Sequence, residues 1–320
     1  MFLAVDTATT GQKTHRYLRL SLVFVVFALL VSVAIETVVV SWEPFALGWD
    51  PLPSLSHYFY TSARSVFVGT LIAASLALLA LSGRNRATVL LDISAIFAPL
   101  IALIPTGIDA DRPVDALSCP GETECIPAPY LGDVRAGVVA YLVVVLTVVV
   151  AMAVIRRTMR IRVPGAGLVS AIAVVTAVVI AVLAFVPALN ADFPFNFWPF
   201  PSSIHFLVTL LFFGTFAAVP VLMSREPLDE GETPPSERQK TVYRWVTRLM
   251  IADLLLLVAA FVLRDQLRGF PVVLIGEVIA LCLFAWFWWV QTFQRWKNED
   301  PPGLAVDLTP AEPVPGDPAP

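Results

Sequence analysis

The sequence predicts an all-α fold: an integral membrane bundle of eight transmembrane helices, N-in and C-in. Three observations carry that expectation. Of 320 residues, 58% are hydrophobic and only 14% charged, and mean hydropathy is +0.79. Soluble domains are about half apolar and a quarter charged. Apolar runs recur at the length of roughly 20 residues that spans ~30 Å of hydrocarbon as a helix. Lysine and arginine also partition unequally between the connecting segments. With the N-terminus inside, sixteen fall on the inner side and five (Arg64, Arg112, Arg135, Arg264 and Arg268) on the outer.

Residues 1–16 form a cytoplasmic tail and residues 17–295 the transmembrane domain. The runs are 17–40, 57–82, 86–105, 135–156, 166–188, 204–224, 245–263 and 270–294. Backbone in lipid must satisfy its own hydrogen bonds, so such long continuous runs mean helices. In the first run Ser32-Val33-Ala34 resembles a signal-peptide cleavage site, but the apolar stretch continues through Val40, which favours an uncleaved helix. The second begins near Ser54, an N-cap after Pro53, and sets His57, Thr61, Arg64 and Val68 on one face. The outer loop 106–134 contains "CPGETEC", a spacing that suits a Cys119–Cys125 disulfide in an oxidising compartment. Cys282 lies inside an apolar run and reads as a core residue.

Two other outer loops, "SWEPFALGWDPLPSLSHYFY" and "NADFPFNFWPFPSSIH", are rich in aromatic residues and proline. They suit an interfacial belt or a lid over a cavity. The inner "IRRTMRIRVPGAG" is an orientation signal that also favours anionic lipid. Residues 296–320 form a proline-rich cytoplasmic tail expected to be disordered. The basic residues serve orientation, so no nucleic-acid partner is expected. The chain has no Walker loop, CxxC or zincin motif, and "GAG" at Gly165–Gly167 is too short for a dinucleotide fingerprint. "SLSHYF" and "PSSIHF", with Asp92 and Asp253, suggest a 4+4 internal repeat.

Ionisable groups in a membrane are costly and mark candidate sites. Glu36, His57, Arg64, His205 and Glu277 fall in the outer half and make a candidate ligand-binding set; Asp92 and Asp253 fall in the inner half as a possible relay. Arg64 suits an anionic headgroup, because its fork donates two parallel hydrogen bonds. It also has Glu36 or Glu277 as possible partners. Asp92 can pair with Arg84 or Arg86, and Asp253 with Arg248.

"SLSHYFYTSARSVFVGTLIA" and "LLDISAIFAPLIALIPTG" resemble a family of uncharacterised bacterial multi-spanning membrane proteins. The resemblance rests on Arg64, Phe67, Val68, Gly69, Pro105 and Thr106, with "SSIHF" and "YRW". It is more distantly similar to DUF998-like and Frag1/DRAM/Sfk1-like membrane proteins, and carries no established activity. The ceramidases and progestin/adiponectin receptors are more distant still and hold zinc with Ser, Asp and three His. Ser56, His57, Asp92 and His205 match in type, while a third membrane histidine is missing.

The expected function is non-enzymatic binding of a membrane lipid or amphiphile from the outer leaflet of a bacterial plasma membrane, without a cofactor. One alternative is a zinc-dependent lipid hydrolase using His57 and His205. Another is a proton-coupled transporter using Asp92 and Asp253.

Overall fold

The computed structural model describes residues 10–41, 51–81, 85–109, 124–160, 165–190, 193–195, 203–225, 233–263, 266–267 and 270–296. Among them are eight α-helices: α1 (Thr10–Ser41), α2 (Arg64–Ala80), α3 (Arg86–Leu103), α4 (Ala128–Met159), α5 (Ala166–Phe185), α6 (Ile204–Met223), α7 (Glu237–Val262) and α8 (Val272–Gln294). Seven are long and apolar enough to cross a membrane, and α2, with 17 residues, is the shorter one. The chain is thus an all-α bundle of membrane-spanning type. A short antiparallel ladder, β1 (Ile108–Asp109) with β2 (Glu124–Cys125), pairs Ile108 with Cys125. Cys119, and with it the expected disulfide, lies outside the described residues, as does the tail beyond Trp296.

The second run departs from expectation. It divides into a 3-10 helix, Leu55–Tyr60, and α2, which begins only at Arg64. Thr61 makes the break. Its backbone is extended, at φ −112° and ψ −178°. Its hydroxyl donates to Tyr58 O at 2.9 Å and accepts from Ala63 N at 3.2 Å. A threonine that bonds nearby backbone offers the chain an alternative to the helix. Ser54 precedes the 3-10 helix without a side-chain cap bond. His57, Thr61, Arg64 and Val68 therefore do not share one helical face.

Six helices close a ring in the order α1–α2–α3–α6–α7–α8 and back to α1. The α4–α5 pair packs on itself and leans on α3 from outside. Few α4 or α5 residues are buried, chiefly Val134, Val138, Tyr141, Ala173 and Ile180. This suits lipid-facing helices, because lipid is as apolar as their side chains. The α4–α5 turn uses Gly165 at φ 77°, a left-handed conformation that favours glycine. The packing does not follow a 4+4 repeat: α1 lies between α8 and α2, while its counterpart α5 lies on α4 and α3.

The ring interior is aromatic at mid-height. Phe216 meets Phe284 at 4.6 Å and Phe287 at 5.5 Å, and Tyr243 meets Phe287 at 5.3 Å. The contact between α7 and α8 depends on Gly276. A Cβ there would lie 2.5 Å from Leu257 Cδ2 and 2.9 Å from its Cγ. Gly276→Val is expected to cost about 1–3 kcal/mol through overpacking, read as a lower thermal midpoint in detergent.

Candidate functional site

Ser54 to Thr61 are all buried, although they belong to no long helix. Buried backbone must find partners. The segment finds several on four different elements. From α8, Glu277 Oε2 accepts the Leu55 N–H at 2.6 Å, and Leu274 N donates to Pro53 O at 3.0 Å. After α3, Thr106 N donates to Ser56 Oγ at 2.9 Å, and Tyr60 OH donates to Thr106 O at 2.7 Å. From α4, Tyr130 OH donates to Tyr60 O at 3.2 Å. From α1, Thr37 shares a hydrogen bond with the Tyr58 hydroxyl. The segment thus lies across one end of the ring as a lid.

Behind this lid is a cavity of about 40 Å³. A cavity needs ~10–15 Å³ to hold one water, so there is room for a few small groups. Its wall is mostly apolar, with Leu29, Phe67, Leu71, Phe212 and Leu281. Ser56, His205, Thr209 and Glu277 also border it, through apolar atoms.

Each polar group has a defined state. His205 starts α6 behind the cap Ser203, whose Oγ accepts from Phe206 N at 3.2 Å. Its Nδ1 lies 2.7 Å from Ile104 O. A carbonyl only accepts, so Nδ1 carries the hydrogen. Thr37, Thr70, Thr147, Thr215 and Thr292 each return their hydroxyl to the carbonyl four residues back. Thr209, also inside a helix and only 8% exposed, does not. Its Oγ1 has no hydrogen-bond partner among the described residues.

The expected ligand-binding set is divided by the structure. His205 and Glu277 line the cavity. His57 is buried but not part of the lining, and its Nδ1 lies 2.7 Å from Ser54 Oγ. Glu36 accepts from Ser62 Oγ. Arg64 pairs with neither Glu36 nor Glu277. It meets Asp133 of α4 at 2.9 Å and stacks 4.4 Å from the Phe59 ring and 5.3 Å from the Tyr130 ring. Helix α4 starts at Ala128, about two turns before the expected span, which brings Asp133 onto it.

The inner relay also changes. α3 packs on α2 and α6, and α7 on α6 and α8, so α6 stands between the helices of Asp92 and Asp253. Asp253 does not pair with Arg248, which lies 5.6 Å from the Trp245 ring. Its Oδ1 lies 3.4 Å from where a Cβ on Gly276 would stand. Asp253 is therefore level with the first turns of α8, beside Glu277, and not in the opposite half. Arg84 lies outside the described residues. Among the described residues no three His, Cys, Asp or Glu side chains gather as a metal site.

Sequence reading missed Ser56 as a backbone acceptor, Thr209 and Asp133. Thr209 carries no signal in a sequence, because its distinction is a hydrogen bond it does not make. No family model matches the chain, and neither does any curated protein or solved structure.

The lid bonds set an order of stability effects. Ser56→Ala strands the part-buried Thr106 N–H and is expected to cost about 1–3 kcal/mol. Asp133→Asn removes a pair whose side chains are 34% and 53% exposed, and is expected to cost less than ~1 kcal/mol. Thermal unfolding of the two variants checks the order.

Proposed function

We propose that this chain is a multi-pass membrane binding protein whose cavity takes the polar end of a lipid or amphiphile from the outer leaflet. In this reading all eight helices span a bacterial plasma membrane, with both termini in the cytoplasm and a Cys119–Cys125 disulfide outside. The lysine and arginine distribution supports that orientation. The resemblance to uncharacterised bacterial membrane proteins belongs to the same reading.

The observation that carries the binding reading is the unused, buried hydroxyl of Thr209, a residue that borders the apolar cavity. A buried hydroxyl without a partner is costly, and a ligand that bonds it recovers that cost. His205 and Glu277 border the same cavity, and with Thr209 they suit a ligand end that carries hydroxyl or amine hydrogens. The small volume favours one end of a molecule, with its apolar tail held elsewhere. Arg64 is less suited to the task than the sequence suggested, because Asp133 already occupies its guanidinium.

Native mass spectrometry of protein purified in mild detergent tests this reading. About one amphiphile per chain is expected. Thr209→Leu, which fills the cavity and removes the hydroxyl, is expected to lose it, while Arg64→Ala keeps it. Loss in Arg64→Ala with retention in Thr209→Leu moves the site to the rim. A wild-type chain free of amphiphile rejects the reading.

A further inference from the structure

Asp253 is 6% exposed, and its Oδ2 accepts no hydrogen bond among the described residues. Its Oδ1 lies 3.4 Å from where a Cβ on Gly276 would stand, which places the carboxylate against α8. The next residue is Glu277, so both carboxylates stand at the same level of the α7–α8 contact. Both are on membrane-spanning helices.

Among the described residues no fixed cation pairs with either carboxylate. The salt bridges among the described residues are Arg64–Asp133 and Lys240–Glu237, which involve neither group. The hydrogen-bond partner of Glu277 is the Leu55 amide, a neutral donor. From α6, His205 faces the same cavity, with Nδ1 on the Ile104 carbonyl. From the lid, His57 is joined to Ser54; from α1, Glu36 is joined to Ser62. Thr209, 8% exposed and with an unpartnered hydroxyl, borders the same cavity as Glu277.

Two neighbouring ionised carboxylates in an apolar interior are strongly unfavourable, and a cation from solution relieves that cost. We propose that Asp253 and Glu277 form a binding site for one monovalent cation, a proton or a sodium ion. Either one removes one of the two negative charges. The proton would bridge or sit on one carboxyl, and sodium would take oxygen ligands from both. This site shares Glu277 with the amphiphile cavity, but the charge balance holds whether or not an amphiphile binds.

The test uses the full chain in nanodiscs of neutral lipid. Dicyclohexylcarbodiimide modifies protonated carboxyls in apolar surroundings, and peptide mass spectrometry locates the adduct. At neutral pH in choline chloride, an adduct is expected on Asp253 or Glu277. If the cation is sodium, adding sodium chloride suppresses the adduct several-fold and raises the thermal midpoint. If it is a proton, sodium has no effect and the adduct falls as pH rises. Asp253→Asn removes the need for the cation, so its midpoint at pH 8 is expected to match or exceed the wild type and to ignore sodium. A drop of several degrees in Asp253→Asn overturns the proposal, because it reveals a fixed cationic partner left unpaired. Absence of both adduct and sodium response in the wild type overturns it too. Neither readout involves amphiphile, so this site and the cavity reading can fail separately.

Discussion

The constraint on which this architecture depends is the backbone of Ser54 to Thr61. Non-helical chain at membrane depth persists only where protein satisfies its polar groups. Here the amide of Leu55 finds Glu277, the Pro53 carbonyl finds Leu274 N, and the Tyr60 carbonyl finds Tyr130. The partners come from α8 and α4, far from the segment in sequence, so these bonds form only once both helices are in place. The same bonds hold α4 and α8 to a segment between α1 and α2. A ring of six helices thereby acquires a closed end without a covalent link.

Glu277 shows how much one side chain carries in such a design. Its carboxylate ends the orphan donors of the 3-10 helix, as a capping side chain does at a helix N-terminus. It also lines the cavity and stands beside Asp253. A change in its charge would therefore reach the lid, the cavity and the α7–α8 contact together. That coupling needs no long pathway, because the three features meet on one residue.

Much of the helix layout is legible in the primary structure, because length and hydropathy decide it. The α4–α8 runs and the first run all correspond to helices. The second run was misread, because "SLSHYFYTSARSVF" has apolar and aromatic content compatible with a helix. What breaks it is a local choice by Thr61, which hydropathy does not register. The candidate residues were legible as types. His205 and Glu277 were singled out as costly polar groups and do line one cavity. Their separation from Arg64, Glu36 and His57 was not legible, because it depends on the ring order and on where each helix starts. Asp253 was placed in the wrong half by counting along α7 alone. Its level is set by packing against Gly276, a pairwise fact between helices.

Arg64 and Asp253 together show why partner geometry outweighs residue type in a membrane. Arginine invites an anionic ligand, yet here Asp133, Phe59 and Tyr130 already surround its guanidinium at the partly exposed rim. A pair in such a position contributes little energy and asks for nothing more. Asp253 is less conspicuous in a sequence, but it is buried beside a second carboxylate with no fixed countercharge among the described residues. Burial raises the cost of that imbalance far above the worth of the rim pair. The unmet chemical demand therefore lies inside the ring, at Thr209, Glu277 and Asp253, and that is where a ligand or ion has most free energy to return.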